Sequence, residues 1–350
     1  MPECTAGGAA VSDPLSEQQR RRIAAARERR LAPWRERGAV AGDPETVGVV
    51  ITHFGAELEL EPLAGGEHLR CFLRATVDPV VTGDRVLFEH ERDEDGTPVP
   101  RRGVVTARLP RDGLLARHTA RGLKPVCANL DVLVVVLAPE PAPHADLLDR
   151  YLLAAALDEL DVLLVLNKAE LPAASAPALA ALLAPYPALG VPVLRVSADT
   201  GAGLDALRTR LAGRAAALVG QSGVGKSSLL NALVPGAGAE VGTLSTRRNR
   251  GRGRGRHTTS VTRLYRLDGG VLVDSPGIRA FEPDVPTPEA LAAGFPEVAD
   301  FAVACRFRDC RHEDEPGCAV RAAIAAGTVA ASRLASWQLL RAEAEDRARP

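Results

Sequence analysis

The sequence predicts a multidomain α/β protein: a small N-terminal β-barrel of the OB type, a doubly wound α/β domain, and a helical C-terminal domain built round a metal site. Three observations predict it. Short β-rich runs alternate with turn residues from Thr46 to Leu109, and buried strands alternate with helices from Val132 to Val219. Three cysteines and a histidine then crowd into the stretch from Cys305 to Cys318. The expected bounds are a basic flexible tail at 1–43, the barrel at 44–112, the α/β domain at 113–285 and the helical domain at 286–350.

Composition sets the class. Hydrophobic residues make up 46% of the 350 and the net charge is −1, which suits a soluble globular chain and excludes a disordered one. No apolar run nears the roughly 20 residues a membrane-spanning helix needs, and no signal-peptide core follows Met1. A cytoplasmic monomer with no membrane partner is expected, its six cysteines reduced. The neutral total hides local contrast. Ser16 to Arg37 carries eight arginines against three glutamates, and Arg247 to Arg256 carries six arginines and no acid. Such blocks are either solvated faces or the footprint of a phosphate-rich partner.

The tail holds a short basic helical pattern, Gln18 to Arg30, broken before Pro33. Barrel strands are expected at Thr46–Thr52, Glu57–Leu60, Leu69–Leu73, Asp84–Phe88 and Gly103–Thr106. Five strands in so short a span suit an OB-fold, which takes single strands or structured RNA. Only Phe54, Phe72 and Phe88 there suit base stacking, so shape and backbone contacts are the expected mode. Arg111 to Pro125 reads as a basic linker. Beyond it, strands at Val132–Leu137, Val162–Leu166, Val193–Val196 and Ala215–Val219 alternate with helices at His144–Glu159, Ala176–Ala184 and Leu204–Ala212, the pattern of a mostly parallel sheet.

Chemistry enters at the lysines. The chain has three lysines and forty arginines, and two of the three sit in nucleotide-binding motifs, where a compact ammonium serves better than a planar fork. Gly220-Gln221-Ser222-Gly223-Val224-Gly225-Lys226-Ser227 is a complete phosphate loop, with Ser228 opening the helix behind it. Its glycines let backbone N–H groups turn toward the α- and β-phosphates. Lys226 reaches the β- and γ-phosphates and Ser227 ligates Mg²⁺. Asp274-Ser275-Pro276-Gly277 follows the strand Val271–Val273, so Asp274 can hold Mg²⁺ through water and the Gly277 N–H can approach the γ-phosphate. Asn167-Lys168-Ala169-Glu170 reads as a guanine-recognition motif. Glu170 stands where Asp is usual: the same charge on a longer stem, which fits a guanine edge if the loop retreats by about one methylene. Ser197-Ala198 matches the short motif whose backbone meets the base.

Motif order narrows the field. Asn167 and Ser197 precede Gly220, which precedes Asp274, so the sheet is entered at a different strand and the domain is a circularly permuted P-loop GTPase. Between the phosphate loop and Asp274 lies the segment Arg247–Ser260, too rich in Gly and Arg to pack a core. Thr259, or failing it Thr258, is the candidate for a second Mg²⁺-coordinating hydroxyl. Ile278 follows Gly277 where Ras-like proteins carry a water-orienting glutamine, and an apolar side chain cannot orient water. His257 is the alternative group to position or deprotonate it, or else a plain loop histidine. Slow intrinsic turnover that waits on a partner is expected.

Cys305, Cys310, His312 and Cys318 offer three thiolates and an imidazole in a reducing compartment. Four such ligands suit one closed, structural Zn²⁺ site.

Taken together, these residues resemble the bacterial small-ribosomal-subunit-dependent GTPase family, RsgA type. The most specific pieces are Gly220–Ser228, Gly255-Arg256-His257-Thr258-Thr259, and Cys305 to His312 with Glu315-Pro316-Gly317-Cys318; Asn129-Leu130-Asp131 at the first GTPase strand also fits. The likeness runs from Thr46 to about Leu340. It implies a GTPase that binds the maturing 30S subunit, checks late folding of 16S rRNA and releases other factors on hydrolysing GTP to GDP. By the same likeness the barrel and zinc domain grip rRNA, and the ribosome orders the switch. Two other readings remain open on the residues alone: a nucleotide-switched RNA-binding module with little hydrolysis, and an ATP-using enzyme.

Overall fold

A computed structural model describes residues 46–54, 57–119, 122–237, 262–274 and 287–348. Five strands, β1 (Val47–Phe54), β2 (Glu57–Pro62), β3 (Leu69–Leu73), β4 (Arg85–Arg92) and β5 (Pro98–Arg108), run in the order β1-β2-β3-β5-β4 and close through a β1–β4 pairing. The alternation in β2 shows why: Leu58 and Leu60 point inward while Glu57, Glu59 and Glu61 line the outside. Val50, Leu69, Cys71, Val80, Val86, Phe88 and Val105 complete the barrel core, each large apolar side chain contributing about 1.5–3 kcal/mol on burial. Phe88 is therefore core, not a stacking surface; it is 1% exposed, whereas Phe54 and Phe72 are exposed.

The expected linker at Arg111–Pro125 is instead a β-hairpin, β6 (Leu114–Thr119) with β7 (Gly122–Ala128). Its register shifts between Leu115 and Ala116, and an irregular two-stranded ribbon has no clean period of two to read.

The α/β sheet runs β10-β9-β8-β11-β13-β12. Its strands are β8 (Val132–Leu137), β9 (Asp161–Leu166), β10 (Val193–Arg195), β11 (Ala215–Val219), β12 (Arg263–Leu267) and β13 (Gly270–Asp274). All neighbours are parallel except β12 and β13. Each residue of β8 is buried, as a central parallel strand covered on both faces requires. One face carries α1 (Ala145–Leu157), α2 (Pro177–Leu183) and α3 (Pro185–Ala188); the other carries α4 (Leu204–Leu211) and α5 (Lys226–Leu233). The Asp131 carboxylate accepts the Ala215 N–H at 2.8 Å, setting β8 against β11.

The C-terminal helices are α6 (Leu291–Gly294), α7 (Pro296–Ala302), α8 (Ala319–Ala325) and α9 (Ala331–Ala348). Their core of Phe295, Val298, Val320, Leu334 and Leu340 also takes Leu153 from α1. A buried ion pair joins the two domains. Arg333, its side chain 1% exposed, donates to Asp149 Oδ1 at 2.7 Å, Glu297 Oε1 at 2.6 Å and Gly294 O at 2.6 Å. Tyr186 donates to the same Asp149 oxygen at 2.9 Å. Burial raises the Asp149 carboxyl above its usual range and the Arg333 charge opposes that rise. Among the described residues no helix is long and apolar enough to cross a membrane.

Candidate nucleotide site and metal centre

Three loops at the carboxyl ends of the parallel strands β9, β10 and β11, with β8 lying between β9 and β11, build the candidate nucleotide site, the position where open α/β sheets bind ligands. Strand β11 ends at Val219, and Gly220 follows with φ 131°. A β-carbon there would collide with the Val136 carbonyl of β8, so the chain turns flush against its neighbour. Gly225 caps α5 at φ 92°, presenting the unspent N–H groups of the first turn of α5 to an anion. Lys226 is buried and its Nζ donates to Gly220 O and Gln221 O, both at 2.6 Å. Exchange of these neutral acceptors for phosphate oxygens makes charge-assisted bonds, which are stronger. Ser227 and Ser228 are half-buried beside it, Gln221 and Gly223 are half-buried in the loop, and Ser222 is exposed.

Asn167 ties the loops together. Its Nδ2 donates to Val224 O of the phosphate loop at 3.0 Å, while its Oδ1 accepts the Ala198 N–H at 3.1 Å. One buried side chain thus fixes both base-recognition segments against the phosphate loop. Ser197 is buried, its Oγ accepting the Thr200 N–H at 3.0 Å. Ala169 donates its N–H to Val196 O at 3.0 Å. Lys168, at φ 57°, spans to Glu140 O at 2.9 Å. Glu170 is exposed at the rim. Asp274 closes β13, one strand from β11, and is 7% exposed. The remaining expected residues, His257, Thr258, Thr259, Gly277 and Ile278, lie outside the described residues, as does the arginine-rich segment.

Gly225→Ala tests this geometry. The new methyl would strike the Asn167 amide on a backbone at φ 92°, and a non-glycine residue in left-handed conformation costs about 1–2 kcal/mol. Calorimetry is expected to show nucleotide affinity falling about tenfold or more.

The metal ligands converge as well. The ligating atoms of Cys305, Cys310, His312 and Cys318 all lie within 4.8 Å of one another. His312 Nδ1 stands 3.6 Å from Cys305 Sγ and 3.4 Å from Cys318 Sγ, and those two sulfurs are 3.9 Å apart. Tetrahedral Zn²⁺ with bonds of about 2.3 Å to sulfur and 2.0 Å to nitrogen has edges of roughly 3.5–3.8 Å, which these three distances among Cys305, His312 and Cys318 approach, and the donor set suits that ion. Burial lowers the His312 pKa, favouring the neutral imidazole that ligates. His312 sits at φ 61° and Gly317 at φ 79°, doubling the chain back. The Glu315 carboxylate accepts the Arg311 and Glu313 N–H groups at 2.6 and 2.8 Å, ordering the loop between.

Sequence reasoning missed the support for this centre. Gln338 on α9 donates to His312 O at 3.0 Å, Arg341 donates to Cys310 O at 3.3 Å, and the Trp337 ring lies 5.0 Å from the imidazole. Only the tryptophan, one of two in the chain, carried any signal.

A family model described as RsgA GTPase matches residues 108–284. The small ribosomal subunit biogenesis GTPase RsgA of Ectopseudomonas mendocina is 46% identical over 321 residues, 90% of either chain. The chain belongs to the RsgA GTPase family. Another RsgA, from Azotobacter vinelandii, is 46% identical across 92% of either chain. The crystal structure of YjeQ from Thermotoga maritima superposes with a TM-score of 0.65 at 29% identity, covering 86% of this chain and 98% of that one. YloQ, a circularly permuted GTPase, superposes at 0.62 with 21% identity over 87% and 96%, a likeness of fold alone. The RsgA architecture accounts for the permuted motif order: β8, β9 and β10 enter the sheet before the phosphate-loop strand β11.

Proposed function

We propose that this RsgA-family GTPase acts in late maturation of the small ribosomal subunit, binding 16S rRNA and hydrolysing GTP to GDP and phosphate once docked. The observation that carries the reading is the Asn167 tie, which brings together three candidate nucleotide-binding segments separated in sequence. The role of its relatives in small-subunit biogenesis supports the partner.

In this reading the phosphate-loop N–H groups and Lys226 hold the triphosphate in line for attack by water on the γ-phosphorus, and the bond to the β-phosphate oxygen breaks. Ser227 and the buried Asp274 carboxylate, with Thr259, would hold Mg²⁺; such oxygen donors suit that ion. When bound, Mg²⁺ neutralises charge gathering on the β- and γ-oxygens. Asn167, Lys168, Ala169 and Glu170, with Ser197 and Ala198, seat the guanine. Gly277 approaches the γ-phosphate and His257 positions or deprotonates the water. The Cys₃His centre holds one structural Zn²⁺. We assign a cytoplasmic monomer with a basic tail at 1–43, a barrel at 44–112, the GTPase domain at 113–285 and the zinc domain at 286–350. The arginine-rich segments add rRNA phosphate contacts that weaken with salt.

Purified 30S subunits are expected to raise GTP turnover by at least about tenfold, since partner-supplied groups dominate catalysis in GTPases that lack their own water-orienting residue. Turnover unchanged by 30S would favour a nucleotide-switched binding module. Displacement of labelled GTP by GDP but not ATP is expected; equal displacement would defeat guanine selectivity.

A further inference from the structure

One carbonyl oxygen of the GTPase sheet receives two hydroxyls from the barrel. Thr262 O, immediately before β12, accepts hydrogen bonds from Thr52 Oγ1 at 2.7 Å and Thr82 Oγ1 at 3.2 Å. Both threonines are 1% exposed, and they stand 210 and 180 residues away in sequence. Two donors fill both lone pairs of a carbonyl.

The local chain is built to deliver these hydroxyls. The β1–β2 register shifts between Val50 and Thr52, and such a bulge re-aims the side chains that follow it. Val50 stays in the barrel core, Ile51 enters the GTPase-domain core, and Thr52 pairs with Arg263 across the domain boundary. Thr82 is braced from behind. Its carbonyl accepts the Ala128 N–H at 3.0 Å. In the same turn the fully buried Asp84 carboxylate accepts the Val81 N–H at 2.7 Å and is gripped by Arg111, both contacts at 2.7 Å. Arg263 and Arg266 also meet Glu59 and Glu61 of β2 at 4.0 and 2.6 Å, but half-exposed pairs of this kind contribute little. The hydroxyls are the specific element.

What they hold matters for the site. Arg263, bonded to Thr262, is the direct cross-strand partner of Asp274, and Leu264 pairs with Val273. The start of β12 therefore sets where the carboxylate at the end of β13 stands beside the phosphate-loop strand.

We propose that Thr52 and Thr82 are positioning residues of the GTPase: from the barrel, they fix Thr262 and so hold Asp274 in register for Mg²⁺. The proposal rests on the GTPase reading above. The test compares full-length T52V/T82V, which keeps side-chain shape and removes both hydroxyls, with T52S/T82S, which keeps them. Two measurements are made. In nucleotide-free protein, hydrogen exchange of the peptides spanning 262–267 and 270–274 is expected to speed up about fivefold or more in the valine pair and to stay at the wild-type rate in the serine pair. In GTP turnover titrated with Mg²⁺, the half-saturating concentration is expected to rise about fivefold in the valine pair at nearly unchanged turnover under saturating Mg²⁺, a shift typical of coupled sites. Wild-type exchange and Mg²⁺ dependence in the valine pair would overturn the proposal, as would equal damage in the serine pair. Should the valine pair fail to fold, the single variants T52V and T82V carry the same comparison. Wild-type protein that hydrolyses no GTP would instead defeat the functional reading, leaving the exchange measurement to judge the clamp.

Discussion

Lys226→Ala is expected to lower GTP turnover by about 10²–10³-fold, the usual loss when one preorganised electrostatic donor is removed from developing charge. The side chain is 5% exposed and lies across its own loop, bonded to the carbonyls of Gly220 and Gln221. Alanine removes the ammonium and leaves those carbonyls without their donor, so affinity for GTP falls as well. Lys226→Arg should do no better. A planar guanidinium is wider than an ammonium and cannot sit between two carbonyls held within a closed turn. That expectation matches a chain that writes arginine forty times and lysine three. Single-turnover hydrolysis with calorimetry of Mg²⁺–GTP checks both variants; near-normal turnover in either would remove Lys226 from the chemistry.

The second large effect belongs to the metal. Structural Zn²⁺ contributes about 10–16 kcal/mol of binding free energy in zinc-finger peptides, as large as the whole net stability of a typical domain, about 5–15 kcal/mol. Cys310 and Cys318 are themselves part of the hydrophobic core of the C-terminal helices. Cys310→Ser, or stripping with a strong chelator, is therefore expected to drop zinc content from one per chain to near zero and to melt the helices around it. Elemental analysis reads the first and far-ultraviolet circular dichroism the second. The loss should be local at first, because Arg333 still anchors α9 to Asp149 from the other side. A zinc-free variant with wild-type helicity would show that the four ligands hold nothing structural.

Much of this was written locally in the chain. The run Val132 to Leu137 announces a strand buried on both faces, and the alternation Glu57 to Leu60 announces one buried on a single face. Phosphate-loop glycines are legible because their conformations admit little else: Gly220, Gly223 and Gly225 all have positive φ. The metal ligands are legible because three cysteines and a histidine within fourteen residues are the spacing of a metal site. What stayed hidden depends on distance or irregularity. The hairpin β6–β7 carries a register shift and a proline, Pro125, within a strand. Thr52 and Thr82 look like ordinary strand and turn residues until folding brings Thr262 to them. Trp337 and Gln338 serve a histidine on another element, and no local pattern links them. Phe88 could not be told from Phe54 by type, only by which side of a strand it faces.

One consequence of the sheet order reaches protein engineering. Strand β12 has β13 on one side and the barrel strand β1 on the other. A GTPase domain excised at the barrel boundary would strip Arg263 of its cross-strand partner Thr52 and uncover that end of β12, an edge of the kind on which separate molecules zip together. Truncated or fused versions should therefore keep the barrel, for solubility alone.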